Sequence, residues 1–346
     1  MMDILMQYGL FLIKAATVVI AVWILTVMLV SLSRRKGRMP ERLEVKNLNR
    51  KYREMSLMLK RSILPRKEFK RVFKVEKSKW KTEKKGSGGE RGKAKRRVFV
   101  INFRGDIPAT AVSNLREEVT AILSVATNED EVLVRLENAG GFVHGHGLAA
   151  SQLMRLRQRN IPLTVAIDKV AASGGYLMAC VGNRILAAPF AVVGSIGVLA
   201  QLPNFHRFLT RHGIDFEEAK AGEFKRTVTM FGKNTDEERE KLRQQLEETH
   251  MLFKNLVQEN RPDVDISSVS TGEYWYGRNA VDKKLVDELT TSDDYLLEAS
   301  KKADIYDVSF IARKPVTEKV ASVVQLTMDR LLLSWWRRAD DCRYPV

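Results

Sequence analysis

Nineteen consecutive residues, 15–33, carry no charge and are mostly aliphatic, with YGLFLI and a single Lys14 before them. About 20 apolar residues suffice to cross a bilayer as a helix, because the backbone polar groups are then paired within the segment. A cleaved signal peptide needs a charged start, a shorter apolar stretch and a small-residue cleavage site. This segment opens on Met1-Met2-Asp3 and closes on Arg34-Arg35-Lys36, so residues 1–33 read as an uncleaved transmembrane anchor. A buried core helix fits less well, since neither flank gives the run a polar face. Four basic residues lie within 34–38 against one before the span. That bias puts the N-terminus outside and the main domain in the cytoplasm.

The charge that follows is concentrated. The 346 residues contain 58 Lys plus Arg and 42 Asp plus Glu, a net of +16. Residues 31–98 hold 26 basic and 7 acidic side chains, whereas 99–346 hold 31 and 34. The excess therefore belongs to a juxtamembrane segment, 34–97, and only that segment calls for an acidic partner. Its first half, ERLEVKNLNRKYREMSLMLKRSIL, has helical spacing and could lie along a membrane; KKGSGGERGKAKRR reads as a flexible tether. Anionic lipid heads are the partner this implies. No known nucleic-acid module accompanies the charge, so a specific nucleic-acid partner is not expected.

From Arg97 onward strand and helix patterns alternate. RVFVINF, EVLVRLE and PLTVAID are short apolar runs of strand character, while SNLREEVTAILSVA and LAASQLMRLRQ have helical spacing. Between them NAGGFVHGHG reads as a glycine-rich loop. Strands separated by helices predict an α/β domain with largely parallel pairing, placed here at 98–312. Thr235 and Glu238 have the spacing of a capping box before a long helix. Its stripe Leu242, Leu246, Phe253, Leu256 and Val257 predicts one buried face. A second uncharged run, 185–205, is broken by Pro189, Gly194, Gly197 and Pro203 and reads as buried strands and turns rather than a second span. The last 34 residues, 313–346, include VASVVQLTMDRLLLSWWRR and form an amphipathic tail.

The chemical signal lies just after PLTVAID. There KVAASGGYLMAC puts Ser173 in a turn of small residues that opens into an apolar helix. Small neighbours allow close approach to the hydroxyl, and a helix start offers free N–H groups to an oxyanion. A serine in that place is also an ordinary N-cap. A Ser-His-Asp set can be drawn with His144 and Asp168, yet no G-x-S-x-G motif is present. His144 and His146 are only two candidate metal ligands. Cys180 and Cys342 are the only cysteines, too few for a disulfide framework or a thiolate site. A lysine could act as base if burial kept its amine neutral, but no spacing rule picks one out.

The ordered motifs DKVAASGGYLMA, VGSIGV and AGEFKRT, together with the NAGG loop and TGEYWYGRNAVDKKLVDEL, resemble the S49 family of serine-lysine peptidases, which includes signal peptide peptidase A. The resemblance implies that Ser173 is the nucleophile, Lys225 the general base and Ser195 the hydroxyl that orients the lysine. It implies an oxyanion hole from backbone N–H groups of Gly174 and of Gly140 or Gly141, the latter being the better match. Ser-Pro usually precedes these glycines in the family, where Asn138-Ala139 stands here. The implied fold is the ClpP/crotonase-like β-β-α superhelix, assembling into a homo-oligomeric ring. No metal or cofactor is implied, the substrates are peptides or proteins, and the site of action is a bacterial inner membrane. Signal peptide peptidase A is regarded as acting outside the cytoplasm, whereas the charge bias here places the catalytic domain inside. A catalytically silent membrane scaffold, an acyl-CoA enzyme on the same fold and a nucleic-acid tether at 34–97 are the competing functions.

Overall fold

The computed structural model describes residues 41–86, 95–222, 225 and 227–311, with isolated positions between 14 and 23. The anchor expected at 15–33 and the tail expected at 313–346 fall outside the described residues almost entirely. Among the described residues no helix is long and apolar enough to cross a membrane. Contacts divide the chain into two units, Met1–Arg42 with Ile311–Val346, and Leu43–Phe310. The second unit holds the α/β architecture.

A seven-stranded sheet forms its centre. The strands are β1 (Arg42–Asn47), β2 (Arg97–Arg104), β3 (Glu131–Glu137), β4 (Leu163–Ile167), β6 (Arg184–Ala187), β9 (Glu288–Leu289) and β10 (Asp304–Ile311). Their order is β1-β10-β2-β3-β4-β6-β9, and every pairing from β10 through β9 is parallel. The apolar runs are continuous because both faces are covered. On one face Phe99, Ile101, Phe103, Val132, Val134, Leu136, Val165 and Ile167 pack on α3 (Val112–Leu123) and α4 (Val143–Gln158). On the other, Val98, Val100, Leu133, Ala166 and Leu186 meet Leu48, at the start of α1 (Leu48–Ile63), and Leu296 of α10 (Ser292–Ala299). The alternation of successive side chains between faces thus splits each strand between two cores.

A small second sheet carries the chemistry. It is ordered β5 (Val170–Ala172), β7 (Val192–Gly194), β8 (Tyr274–Tyr276), with β5 and β7 parallel and β8 antiparallel to β7. The chain runs from β4 into β5 and then into α5 (Gly174–Ala179), and from β6 into β7, which is the β-β-α order the resemblance implied. A short α6 (His206–Arg211) and the long α7 (Asp236–Asn260) follow, then α8 (Ile266–Val269) and α9 (Gly277–Asp282). The capping box forms as expected: Thr235 accepts from the Glu238 N–H, and Glu238 accepts from the Thr235 N–H at 2.9 Å. On α7 only Phe253 and Val257 are fully buried, while Leu242, Leu246 and Leu256 are half-buried.

Three expectations change. The folded unit does not begin at 98: β1 joins the large sheet, and Asn49 is buried under it. The Asn49 side chain donates to the Ser300 and Ala303 carbonyls at 3.0 and 2.9 Å and accepts from the Ile305 N–H at 2.7 Å. This first half of 34–97 is therefore mounted on the core, while most of KKGSGGERGKAKRR, read as the tether, lies outside the described residues. Pro65 then ends α1, because a residue before proline avoids helical angles and Leu64 is extended at ψ 144°. α2 (Arg66–Gly86) follows at once. Second, the expected glycine-rich loop stops at Phe142, since His144 and His146 lie inside α4. Third, the run 185–205 is core only in part: Ile185, Leu186, Val193 and Ile196 are buried, but Phe190, Leu199, Leu202 and Phe205 are exposed.

Candidate active site

Ser173 sits where β5 turns into α5, with φ 52° and ψ −119°. Left-handed angles at a residue with a Cβ cost of order 1–3 kcal/mol and persist only where surrounding structure over-determines them. Here it does. The Ser173 N–H donates to the Gly194 carbonyl at 2.8 Å, the Ala172 N–H to the Asn138 carbonyl at 3.0 Å, and the Asn138 N–H to the Val170 carbonyl at 2.9 Å. Gly175 allows this closure, because a Cβ there would lie 2.1 Å from the Asn138 carbonyl oxygen. On the far side Tyr176, fully buried, donates its hydroxyl to the Leu285 carbonyl at 3.0 Å. Ser173 occupies the N-cap position of α5 but makes no cap hydrogen bond, so its hydroxyl is not used there.

Strand register brings the second serine beside it. Ala172 pairs with Gly194, so the next residues, Ser173 and Ser195, leave two parallel strands abreast, which lie about 4.8 Å apart. Ser195 also has positive φ, 51°. Its N–H donates to the Glu273 carbonyl at 2.7 Å and its hydroxyl to the Gly272 carbonyl at 3.2 Å, which leaves the oxygen able to accept.

The loop 138–141 closes the other side. A Cβ on Gly140 would stand 2.8 Å from the Ser173 Cβ, so the glycine backbone lies against the serine. Asn138 is buried, and its Oδ1 accepts from the Gly140 N–H at 2.9 Å. That bond corrects one expectation: the Gly140 N–H is already committed and is no oxyanion donor. Gly141 and Gly174 remain, neither N–H being bonded among the described residues. Asn138 was visible in the sequence only as a departure from Ser-Pro; its side chain is what ties the loop.

Behind Gly174 stands His146, fully buried, whose ring lies 2.6 Å from where a Gly174 Cβ would be. Its Nδ1 is 2.9 Å from the Phe142 carbonyl, which can only accept, so Nδ1 carries the proton and Nε2 has no partner among the described residues. The His144–Asp168 pairing drawn from the sequence is not assembled. Asp168 instead accepts from the Ser292 N–H at 2.8 Å and hydroxyl at 2.6 Å, and His144 stacks on Phe142. Among the described residues no group of three His, Cys, Asp or Glu could hold a metal ion.

Ser173 opens onto a cleft of about 250 Å³, lined by Gly141 and Gly174 and by Val143, Leu177, Val198, Leu252, Phe253 and Leu256. Three of these come from α7, whose stripe read in the sequence as packing alone; no local signal marks a helix as the wall of a site 80 residues away. Lys225 is not brought to the cleft. It lies in a bend on the exposed stretch between α6 and α7, where its backbone N–H bonds Gly222 at 3.2 Å and its side chain is exposed. No hydrogen bond joins it to Ser173 or Ser195, and it does not lie in an apolar wall.

The comparisons with known proteins bear on this arrangement. Residues 3–153 match the model for the peptidase family S49 N-terminal region, and 155–306 match the model for peptidase family S49. The chain is 46% identical over 325 residues to a probable protease SohB of Haemophilus influenzae, covering 92% of each. This chain belongs to peptidase family S49. A probable protease SohB of Buchnera aphidicola from Schlechtendalia chinensis is 43% identical and is matched over 99% of its length, against 86% of this chain. A solved structure of the 1510-N membrane-bound stomatin-specific protease covers 67% of the chain at 13% identity and a TM-score of 0.43, too distant to inform the site. The two S49 models meet within α4, so the site draws Gly141 from the N-terminal region and both serines from the other.

Proposed function

We infer that this S49 peptidase is a serine endopeptidase held at a bacterial inner membrane by a single span at 15–33, and that it cuts membrane-derived or damaged polypeptides by a Ser173–Lys225 dyad. The observation that carries the reading is the strained Ser173 turn, its hydroxyl free at the mouth of an apolar cleft between two unbonded N–H groups. Ser173 Oγ attacks the peptide carbonyl carbon while its proton passes to the Lys225 amine. The N–H groups of Gly174 and Gly141 receive the developing oxyanion. The lysine returns the proton to the leaving amine, and water then releases the acyl group from Ser173 by the same route. Ser195, abreast of Ser173, accepts from the lysine and aims it. The lining of the cleft suits an apolar side chain before the cut.

A lysine accepts a proton only as the free amine, which requires shelter from water. The exposure of Lys225 therefore makes closure of its segment over the cleft part of the mechanism, and assembly of copies into a ring would provide that cover. The test is labelling of detergent-solubilised protein by a fluorophosphonate, beside hydrolysis of a fluorogenic peptide with an apolar residue before the cut. Wild type should label and cleave; Ser173→Ala should do neither, and Lys225→Ala should fold but not cleave. Absence of labelling and cleavage by the wild type would favour the silent scaffold, which the exposed Lys225 otherwise leaves open. An alkaline phosphatase fused after residue 346 reports sidedness: activity would contradict a cytoplasmic catalytic domain.

A further inference from the structure

The helices α1 and α2 form a hairpin that presents an exposed apolar stripe among the described residues. Met55, Met58, Leu59 and Ile63 follow one another at i, i+3, i+4 and i+8, a single helical stripe, and are 52%, 69%, 63% and 75% exposed. Four large aliphatic side chains in a row on water are unlike the scattered apolar residues of an ordinary surface. Around them the charge is one-sided. Residues 48–78 carry eleven basic and three acidic side chains. Two of the acids are matched, Glu54 by Arg50 at 2.8 Å and Glu76 by Lys60 at 2.6 Å across the hairpin. Arg61, Arg66, Lys67 and Lys70 are exposed, with no ion pair to an acid among the described residues.

An aliphatic stripe bordered by basic residues on a helix of low overall hydropathy is suited to lie in a membrane interface, apolar side down and cations on the phosphates. A second copy is a poor occupant, since it would bring an equally positive surface against this one. Eight residues, 34–41, separate the uncharged run from β1, so covalent reach keeps the start of β1 within about 30 Å of the end of that run. Asn49 and Leu48 lock the start of α1 to the sheet, and Lys60–Glu76 ties α2 to α1.

We propose that the α1–α2 hairpin lies on an anionic membrane surface, with Met55, Met58, Leu59 and Ile63 inserted between the lipid heads, and so holds the α/β unit in a set orientation there. The proposal rests on the reading of 15–33 as an anchor, and on no part of the catalytic reading.

The test uses the full chain with Cys342→Ser, in which the remaining native thiol, Cys180, is fully buried, reconstituted into vesicles of equal parts phosphatidylcholine and phosphatidylglycerol. Single cysteines are placed at Met58, Leu59 or Ile63, and as controls at the exposed Val125 and Leu148 on the opposite side of the sheet, and carry an environment-sensitive fluorophore. The stripe positions should shift to the blue and be quenched by doxyl-labelled lipid, with the controls unchanged. The shift should weaken in phosphatidylcholine alone, at high salt, and with Arg61→Gln, Arg66→Gln, Lys67→Gln and Lys70→Gln combined. Stripe positions that remain in water overturn the proposal, as does a blue shift without lipid quenching, which would mean a protein cover. Protein that is stripped from the vesicles by alkaline carbonate would sink the anchor reading instead, a failure distinct from unquenched probes on protein that stays bound.

Discussion

The turn at Ser173 and the stretch that carries Lys225 are built on opposite terms. Around Ser173 every strand end is tied to another by the backbone: 138 to 170 and 172, 173 to 194, 195 to 273. The side chains beneath, Tyr176, Met178 and His146, are fully buried. Between Val198 and Asn234 the chain mostly bonds to itself. The Phe205 N–H reaches the Met230 carbonyl, Asn204 reaches the Thr229 and Gly232 carbonyls, and Phe231 packs against Phe205 and Phe216. Leu199, Leu202, Phe208 and Ile214 are left on the surface. The contrast teaches that the sheet alone can hold the strained Ser173 turn, whereas the exposed Lys225, under the proposed dyad, would have to be sheltered by a rearrangement that the sheet does not supply.

Disabling each side in turn gives the largest effect. Ser173→Ala and Lys225→Ala should each lower peptide hydrolysis on the order of 10⁴-fold or more, with melting temperatures near that of the wild type. Activity surviving Lys225→Ala would dissolve the contrast, since the sheet side would then be sufficient. Gly175→Ala strikes the rigid side by driving a Cβ into the Asn138 carbonyl; a loss of about 1–3 kcal/mol is expected in denaturant titration, with activity lost as well.

The junction of α3 with β10 has its own pH signature. Burial pushes the Glu118 carboxyl up to about 7, against the Phe310 N–H bond that favours the charged form. The folded state therefore holds a proton that the unfolded chain releases from about pH 4.5 upward, and stability falls as pH rises toward 7. Glu118→Gln should flatten that decline and gain at most about 3 kcal/mol at pH 8 in chemical denaturation. Asn138→Ala frees the loop of Gly140 and Gly141 and should reduce kcat about tenfold to a hundredfold, with KM little changed. The smallest effect belongs to the other side: Phe208→Ser should move stability by less than about 0.5 kcal/mol. A protease at low concentration should nick the exposed residues 199–222 before any other described part.

The elements were largely legible. Strands at 97–103, 131–137 and 162–168 carry continuous apolar runs because both faces of a parallel sheet are covered, and Thr235 with Glu238 marks the start of α7. Ser173 stood out through its small neighbours, and the ordered motifs pointed to the S49 family. Less legible was anything at the rim of a pattern. His144 and His146 share their segment with four glycines, which suggested a loop, yet both lie in the first turn of α4, His146 on its buried face and His144 exposed. The pattern of 34–97 showed helical spacing in its first half but not that three hydrogen bonds of Asn49 fasten that half to the sheet.

By itself the sequence determined where charge and apolar surface would fall, which stretches would be strand or helix, and that Ser173 stood in a turn of small residues at a helix start. These depend on neighbours a few positions apart. Only the tertiary structure decided that Ser173 and Ser195 stand abreast, that Asn138 takes up the Gly140 N–H, that α7 walls the cleft and that Lys225 is left in solvent. Each of those is a meeting, or a missed meeting, of residues that strand register and helix packing bring together from far apart in the chain, and local pattern carries no record of it.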